Sequence, residues 1–298
     1  FPQCAGISLN RVLDNARALK RVPSMLDQWS GELRSAETAA YLPRINAAVG
    51  SGSVDLVSFD QGLVLMNELN YAPRPVFQSY SAYTPMLSAL NAEFYRSPSA
   101  PKFVMWHQES IDARFPTTED AQLLLELPRG YVTELEEGGY LLLRRVREIP
   151  DHPPRRQLLS ERQAGLGDLV AVPPPGRGPI WLQVIMRPSA LGSLRAALYK
   201  PAQMRIRAVD SGGNHTEWRM LPDVAGDGFL LSPLLATTSD FERFLRDGGG
   251  VAVATVQFVA PGGQEKFWDR RITVRFWSLP DLEGERQAAA RAGAEPGS

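Results

Sequence analysis

Chemically versatile side chains concentrate in the segment Asn70–Tyr83. Arg74 lies between Pro73 and Pro75. Each proline fixes its own φ and favours extended geometry in the residue before it, so Arg74 is expected on a stiff, extended stretch. The segment also supplies rings and side-chain amides, namely Tyr71, Phe77, Tyr80, Tyr83, Asn70 and Gln78. A planar guanidinium that is surrounded by rings and amides is suited to binding a carboxylate, a phosphate or a sugar.

Arg74 has two interpretations. As a binding residue it would line a concave surface with Gln78, Tyr80 or Tyr83. As a structural residue it would be buried against backbone carbonyls or against a carboxylate such as Asp112. The flanking prolines and abundant rings describe a rigid, packed loop, so the structural role is favoured.

A second polar group follows the strand-like run Phe103–Trp106 and contains His107, Glu109, Asp112 and Arg114. In α/β sheets the loops beyond the carboxyl ends of strands form the ligand crevice. A histidine near carboxylates could bind a metal or act as a general base, although the spacing matches no zinc signature. The structural alternative, which we favour, is that Asp112 caps a turn and pairs with Arg114 while His107 packs beside Trp106.

Other acidic pairs are better explained by structure. Asp55 and Asp60 would support glycoside hydrolysis only if they faced each other across a cleft. Asp55 is instead predicted within a strand, and Asp60 as a helix cap. Asp223 and Asp227 could ligate calcium, but an Asp-Gly turn needs no ion.

Aromatic residues of the second half are candidates for stacking on sugars. Four tryptophans lie there: Trp181, Trp218, Trp268 and Trp277. At strand spacing most such rings belong to the core. Trp268 follows a Gly-Gly turn and precedes Asp269 and Arg270, so it is predicted to be the most exposed.

Several reaction classes lack their sequence signature. The phosphate-binding motifs G-x-G-x-x-G and G-x-x-x-x-G-K-S/T do not occur, so the sequence gives no indication of nucleotide binding. The motif G-x-S-x-G is also missing, so there is no sign of the nucleophile elbow of a hydrolase. The single cysteine, Cys4, excludes an intrachain disulfide and any Cys2His2 or Cys4 zinc site. We therefore expect no cofactor, no metal and no catalytic residue.

Composition limits the partners. The formal charge of −1 gives no electrostatic reason to expect nucleic acid. No apolar run approaches the ~18–20 residues that cross a bilayer. At 298 residues, the chain is long enough for two domains.

Residues 1–150 are predicted to form a layered α/β domain, because helical and strand-like runs alternate there. The predicted helices are 7–22 (with Ser8 as its cap), 35–49 (interrupted near Pro43), 60–70 (capped by Asp60), 84–96 and 119–127. The predicted strands are 54–59, the short extended piece 76–78, 103–106, and a hairpin of 131–134 and 140–146.

A proline-rich linker with an entry strand is predicted at 151–178. From 179 to 280 the apolar spacing becomes two, which is typical of an antiparallel β-sandwich or jelly roll. Strands are expected at 180–186, 193–199, 203–209, 216–221, 228–231, 251–259 and 271–277, with one helix at 239–246. Residues 281–298 are expected to form a frayed or disordered tail.

Four segments resemble parts of large, uncharacterised bacterial polytopic membrane proteins that are similar in plan to C-type, lipid-linked-sugar glycosyltransferases. These segments are Val54–Phe59, Asn70–Tyr83, Ile111–Pro116 and Asp227–Pro233. The resemblance implies an extracytoplasmic soluble portion that follows a membrane region absent from this chain. In the C-type enzymes the catalytic acid lies in a membrane-proximal loop that this chain lacks, so no catalytic residue carries over.

Three functions follow as alternatives. We expect a non-catalytic, extracytoplasmic binding or accessory domain of a membrane protein, with carbohydrate or an envelope polymer as partner. The second alternative is an enzyme acting on glycans through a cleft in the α/β domain. The third is a structural domain that positions a partner protein. The candidate binding residues are Arg74, Gln78, Tyr80, Tyr83, His107, Glu109, Asp112, Arg114 and Trp268.

Overall fold

The computed structural model describes residues 2–174, 176, 178–282 and 284. A helix, α1, runs over Pro2–Ala39 and continues through Pro23. The predicted pair of helices at 7–22 and 35–49 is therefore wrong: one helix covers the first range and the start of the second, so Ser8 is not a cap. The interruption predicted near Pro43 is confirmed: α1 ends at Ala39, and Pro43 opens α2 (Pro43–Val49), because proline is tolerated in the first turn of a helix. Within the described part of the chain, no helix is both long and apolar enough to span a membrane.

A mixed sheet forms the centre of the first half. Its strands are β1 (Val54–Val57), β2 (Phe103–Trp106), β3 (Tyr131–Glu137) and β4 (Tyr140–Arg145), in the order β1-β2-β4-β3. β1 and β2 are parallel, and every residue of both is buried. β3 and β4 form the predicted hairpin about Gly138 and Gly139. The parallel pair follows from two short runs that are apolar except for Asp55.

Four further helices accompany this sheet: α3 (Gln61–Met66), α4 (Pro85–Arg96), α5 (Ala121–Leu124) and α6 (Leu127–Gly130). The start of α4 was predicted correctly, with Pro85 in its first turn and Thr84 accepting a hydrogen bond from the Leu87 amide. The helix predicted at 119–127 is instead two short helices, because a new helix begins at Leu127 with Pro128 in its first turn. The extended piece predicted at 76–78 is irregular loop.

Two antiparallel sheets form the second half. One has the order β10-β7-β12-β5 and the other β6-β11-β8-β9. Their strands are β5 (Gln157–Gly165), β6 (Leu169–Ala171), β7 (Ile180–Ile185), β8 (Met204–Asp210), β9 (His215–Met220), β10 (Phe229–Ser232), β11 (Val253–Val259) and β12 (Arg271–Ser278). β5 and β6 lie in the range predicted as a linker with one entry strand.

Three helices interrupt these strands: α7 (Ala190–Leu198), α8 (Pro222–Asp227) and α9 (Thr238–Asp247). The strand predicted at 193–199 is wrong because Leu191, Leu194 and Leu198 recur at helical spacing and Ser189 caps the helix. The helix predicted at 239–246 is α9, capped by Thr237 and Asp240 in a capping box.

Core contacts join the two halves. Trp106 of β2 stacks on Phe241 of α9 with ring centroids 4.0 Å apart, and Phe115 contacts Phe229 of β10 at 4.8 Å. Leu282 is also buried, although the range predicted as a tail begins at 281. Residue 283 and residues 285–298 of that range lie outside the described residues.

Candidate functional site

Arg74 lies in the interior and is held by four hydrogen bonds. Its Nη1 donates to Asp55 Oδ2 (3.0 Å) and to the Leu56 carbonyl (2.7 Å). Its Nε donates to Asp120 Oδ2 (2.9 Å), and its Nη2 to Ser79 Oγ (2.8 Å). The side chain has no exposed surface. Arg74 is therefore placed as a structural anchor, and its carboxylate partners are Asp55 and Asp120 rather than Asp112.

Two buried carboxyl groups share this one guanidinium. Burial raises the pKa of Asp55, and raises that of Asp120 to about 6, although Arg74 opposes both shifts. Burial alone would lower the pKa of Arg74, but attraction to the two carboxylates outweighs it and raises that pKa. Neutral donors also support the carboxylates: the Tyr95 hydroxyl reaches Asp55 at 2.8 Å, and the Asn91 amide reaches Asp120 at 2.7 Å.

The anchored arginine fixes the loop 76–83, called here the aromatic loop. Asn91 clamps its start by bonding both the amide (2.8 Å) and the carbonyl (2.9 Å) of Val76. Gln61 Nε2 donates to the Phe77 carbonyl at 2.8 Å. Phe77 and Tyr83 nevertheless remain 49% and 56% exposed. The loop therefore presents two rings to solvent from a rigid backbone.

The middle of the aromatic loop is partly buried. The Tyr80 hydroxyl donates to Gln78 Oε1 at 2.5 Å, so these two predicted binding residues bond to each other. The Tyr80 carbonyl accepts from Arg114 Nη1 at 3.1 Å. The two polar segments singled out from the sequence therefore meet in the structure.

The parallel strands β1 and β2 end at the same edge of the sheet, so the loops that follow them lie close together, as expected for a ligand crevice. We call residues 58–60 and 107–110 the carboxyl edge. Asp60, His107 and Glu109 lie there with one ligand-type atom of each within 4.8 Å of the others. His107 Nδ1 lies 3.8 Å from Glu109 Oε2, and its ring lies 4.9 Å from the ring of Tyr140.

Asp60 does not act as the predicted helix cap. It occupies the N-cap position of α3, but its side chain makes no capping hydrogen bond. Oδ2 instead accepts from the Tyr140 hydroxyl at 2.8 Å. The carboxylate thus lies beside His107 rather than over the helix.

Asp112 and Arg114 lie farther along the same loop. Asp112, in the left-handed region with φ 55°, accepts from Arg219 of β9 at 3.0 Å and lies 3.8 Å from Arg114. Arg114 is also 3.8 Å from Glu119. Burial raises the pKa of Glu119 to about 7, even though the Ile111 amide and Arg114 favour its ionised form. Sequence reasoning missed Glu119 because nothing in its spacing indicates burial.

Buried polar atoms without a partner are frequent around this edge. Of the buried side-chain polar atoms that have no hydrogen-bond partner within the described residues, three belong to the carboxyl edge: Ser58 Oγ, His107 Nδ1 and Gln108 Oε1. Trp106 Nε1 and Arg114 Nε, in residues near the edge along the chain, are also unpaired. Native proteins pair nearly all buried polar groups, and exceptions often mark a binding site, a water or an ion. The carboxyl edge therefore has hydrogen-bonding capacity that the protein itself does not use.

The remaining sequence candidates lie elsewhere. Trp268 is only 6% exposed, so the prediction of an exposed stacking ring there is wrong: its ring is part of the core cluster. Asp223 and Asp227 belong to the short helix α8 rather than to a loop, and Asp227 Oδ2 accepts from Gln122 at 2.8 Å. Asp55 is locked to Arg74 and cannot face Asp60 across a cleft.

No protein-family model matches this chain, and no curated protein is similar to it. The function must therefore be argued from the aromatic loop and the carboxyl edge.

Proposed function

We propose that this chain is a non-catalytic, extracytoplasmic binding or accessory domain of a membrane protein. Its partner is a carbohydrate or another envelope polymer, which contacts the aromatic loop and the carboxyl edge. The membrane region would precede the chain, as the family resemblance implies.

The observation that carries this proposal is the exposure of Phe77 and Tyr83 on a loop fixed by Arg74. Apolar ring faces stack on sugar rings, and a rigid loop binds with little loss of conformational freedom. Hydrogen bonds from Gln61 and Asn91 hold the backbone at the start of this loop, so its ordering was completed on folding.

Hydroxyl groups of a glycan need polar partners next to the stacking ring. Gln78 and Tyr80 lie within the aromatic loop, and Glu109 is 53% exposed on the carboxyl edge. This combination of rings, amides and carboxylates supports a sugar more than an apolar ligand.

We further propose that the two antiparallel sheets form a β-sandwich of the jelly-roll type behind an α/β domain of residues 1–150. The sandwich extends beyond the predicted range of 179–280, because β5 and β6 pair with β12 and β11. Alternating burial along β8 and β12 supports this layout, because inward-facing residues such as Ile206 and Val274 are separated by more exposed ones. Within the range 151–178, only the stretches outside the paired strands β5 and β6 would then be preferred sites of limited proteolysis.

An enzyme acting on glycans is the second candidate, and Glu119 favours it. A carboxyl group with a pKa near 7 beside Arg114 has the properties of a general acid. This alternative predicts hydrolysis or transfer that is lost in both His107→Ala and Glu119→Gln. A domain that only positions a partner protein would show neither glycan affinity nor activity.

Calorimetric titration with defined glycans tests the proposal. Peptidoglycan fragments, capsular oligosaccharides and arabinogalactan fragments would serve as ligands. We expect saturable binding to at least one of them, weakened at least tenfold in Phe77→Ala and in Tyr83→Ala. Tyr199→Ala is the matched control, because Tyr199 is a tyrosine exposed outside the aromatic loop. Equal weakening in the control would contradict a specific role for the loop.

A further inference from the structure

We propose that Asp60, His107 and Glu109 form a binding site for one divalent transition-metal ion, for which Zn²⁺ is the best probe. This inference goes beyond the proposed function and does not depend on glycan binding. It also departs from the expectation of no metal, which rested on the lack of a zinc signature in the sequence.

The three side chains come from two chain segments that the parallel strands bring together. Asp60 follows β1, whereas His107 and Glu109 follow β2. Their ligand-type atoms all lie within 4.8 Å of one another. Three protein ligands with the remaining positions left to water or a ligand is the usual arrangement of an open zinc site.

His107 Nδ1 is the strongest single indication. The atom is buried and has no hydrogen-bond partner in the described part of the chain. Glu109 Oε2, at 3.8 Å, is too far for a hydrogen bond. Two ligands of a tetrahedral zinc ion lie about 3.3 Å apart, given metal–ligand distances of about 2.0–2.1 Å. A shift of well under 1 Å by the exposed Glu109 side chain would therefore close this pair on an ion.

Asp60 and Tyr140 provide an independent indication. The Asp60 carboxylate leaves the start of α3 uncapped and instead accepts from the Tyr140 hydroxyl at 2.8 Å. The Tyr140 ring also contacts the His107 ring. One tyrosine thus orients two of the three ligands, as outer-shell residues do in metal sites.

The donor set selects the class of ion. One imidazole and two carboxylates suit Zn²⁺ or Mn²⁺ better than Mg²⁺ or Ca²⁺, which prefer oxygen ligands alone. By the usual order of affinities, Zn²⁺ should bind more tightly than Mn²⁺ at such a site.

The experiment is a calorimetric titration of the EDTA-treated, dialysed chain with ZnCl₂, combined with NMR of the histidine rings. The chain has only three histidines, so each ring can be assigned by substitution. We expect one ion per chain and a shift of the His107 ring resonances, with those of His152 and His215 unchanged. His107→Ala and Glu109→Gln should each weaken zinc binding at least tenfold.

Two further variants make the test specific. His215→Ala, which removes an exposed histidine of β9, should leave the affinity unchanged. Tyr140→Phe keeps the ring and should weaken binding by about 10–100-fold, as outer-shell substitutions do. Glu109 is exposed, so Glu109→Gln keeps the test valid even if another variant folds poorly.

The proposal would be overturned by any of three results. These are the lack of saturable zinc binding, binding of equal strength in Glu109→Gln, and a loss in His215→Ala as large as that in His107→Ala. Glycan affinity measured in the same variants is a separate readout, so failure of the metal site is distinguishable from failure of the proposed function.

Discussion

The Arg74 cluster and the carboxyl edge use similar side chains for different ends. Both lie on the β1 segment: Asp55 is inside the strand, and Asp60 follows its end. In the Arg74 cluster, four hydrogen bonds from the guanidinium reach Asp55, Leu56, Ser79 and Asp120. At the carboxyl edge, His107 Nδ1 and Gln108 Oε1 are buried without a partner among the described residues.

The difference shows that pairing, rather than residue type, separates a structural cluster from a candidate site. A buried charge without partners costs several kcal/mol, so the interior arginine must be fully satisfied. A polar atom at the edge can remain unpaired if a ligand, an ion or water completes it. The comparison therefore predicts large stability effects in the first cluster and small ones in the second.

Substitution of Arg74 should have the largest effect. Arg74→Ala leaves Asp55 and Asp120 buried without their cation, so we expect a loss of about 3–5 kcal/mol in the free energy of unfolding. Arg74→Lys should also destabilise, because a single ammonium cannot reproduce the forked contacts. Urea denaturation followed by circular dichroism measures both losses.

Arg144→Ala provides the control for Arg74. Arg144 pairs with Glu134 at 2.6 Å on the surface, with both side chains more than a third exposed. Exposed pairs contribute up to about 1 kcal/mol. An Arg74→Ala variant as stable as Arg144→Ala would refute the structural role of Arg74.

Glu119 should give the protein a measurable pH dependence. Its pKa is raised from 4.5 to about 7 in the folded chain, so the folded state keeps a proton that the unfolded state loses. The contribution of Glu119 to stability is therefore fully present below about pH 4.5 and is lost as the pH rises through 7. The loss is at most about 3.5 kcal/mol, from ~1.4 kcal/mol per pKa unit.

The check is to measure the free energy of unfolding between pH 4 and pH 8 for the parent protein and for Glu119→Gln. The difference between the two curves should change across that range. A constant difference would show that folding does not raise the pKa of Glu119. That result would also remove the observation that favours an enzyme.

Carboxylates of the carboxyl edge should affect stability least. Glu109 is 53% exposed and lies too far from His107 for a hydrogen bond, so Glu109→Gln should change the free energy of unfolding by no more than about 0.5 kcal/mol. A loss above 2 kcal/mol would make this residue structural and remove the contrast with the Arg74 cluster. Thermal melts of the metal-free parent and of metal-free Glu109→Gln measure this change.

Local signals in the sequence predicted most elements. The buried strands β1 and β2, the start of α4 and the Gly-Gly hairpin follow from largely apolar runs, a proline in the first helical turn, and turn residues. The errors arose where local patterns compete. Helical and strand spacing overlap near α7, and the helix-forming residues around Pro23 maintain α1 despite the proline.

The candidate site was only partly predictable. The position of His107 and Glu109 after a buried strand indicated a crevice. Their third neighbour, Asp60, was predicted as a helix cap, because its bond to Tyr140 joins residues 80 positions apart. The carboxylate partners of Arg74 and the burial of Glu119 and Trp268 also depend on tertiary packing. No spacing rule within one segment reveals such contacts.

The most direct test of the proposed function is one binding isotherm measured on the double variant Phe77→Ala/Tyr83→Ala. Both rings are exposed and Arg74 is untouched, so the variant should unfold at the same urea concentration as the parent. We predict that the parent binds at least one envelope glycan saturably and that the double variant binds it at least 100-fold more weakly. Equal affinity in the two proteins, or a parent that binds none of the glycans, would contradict the account.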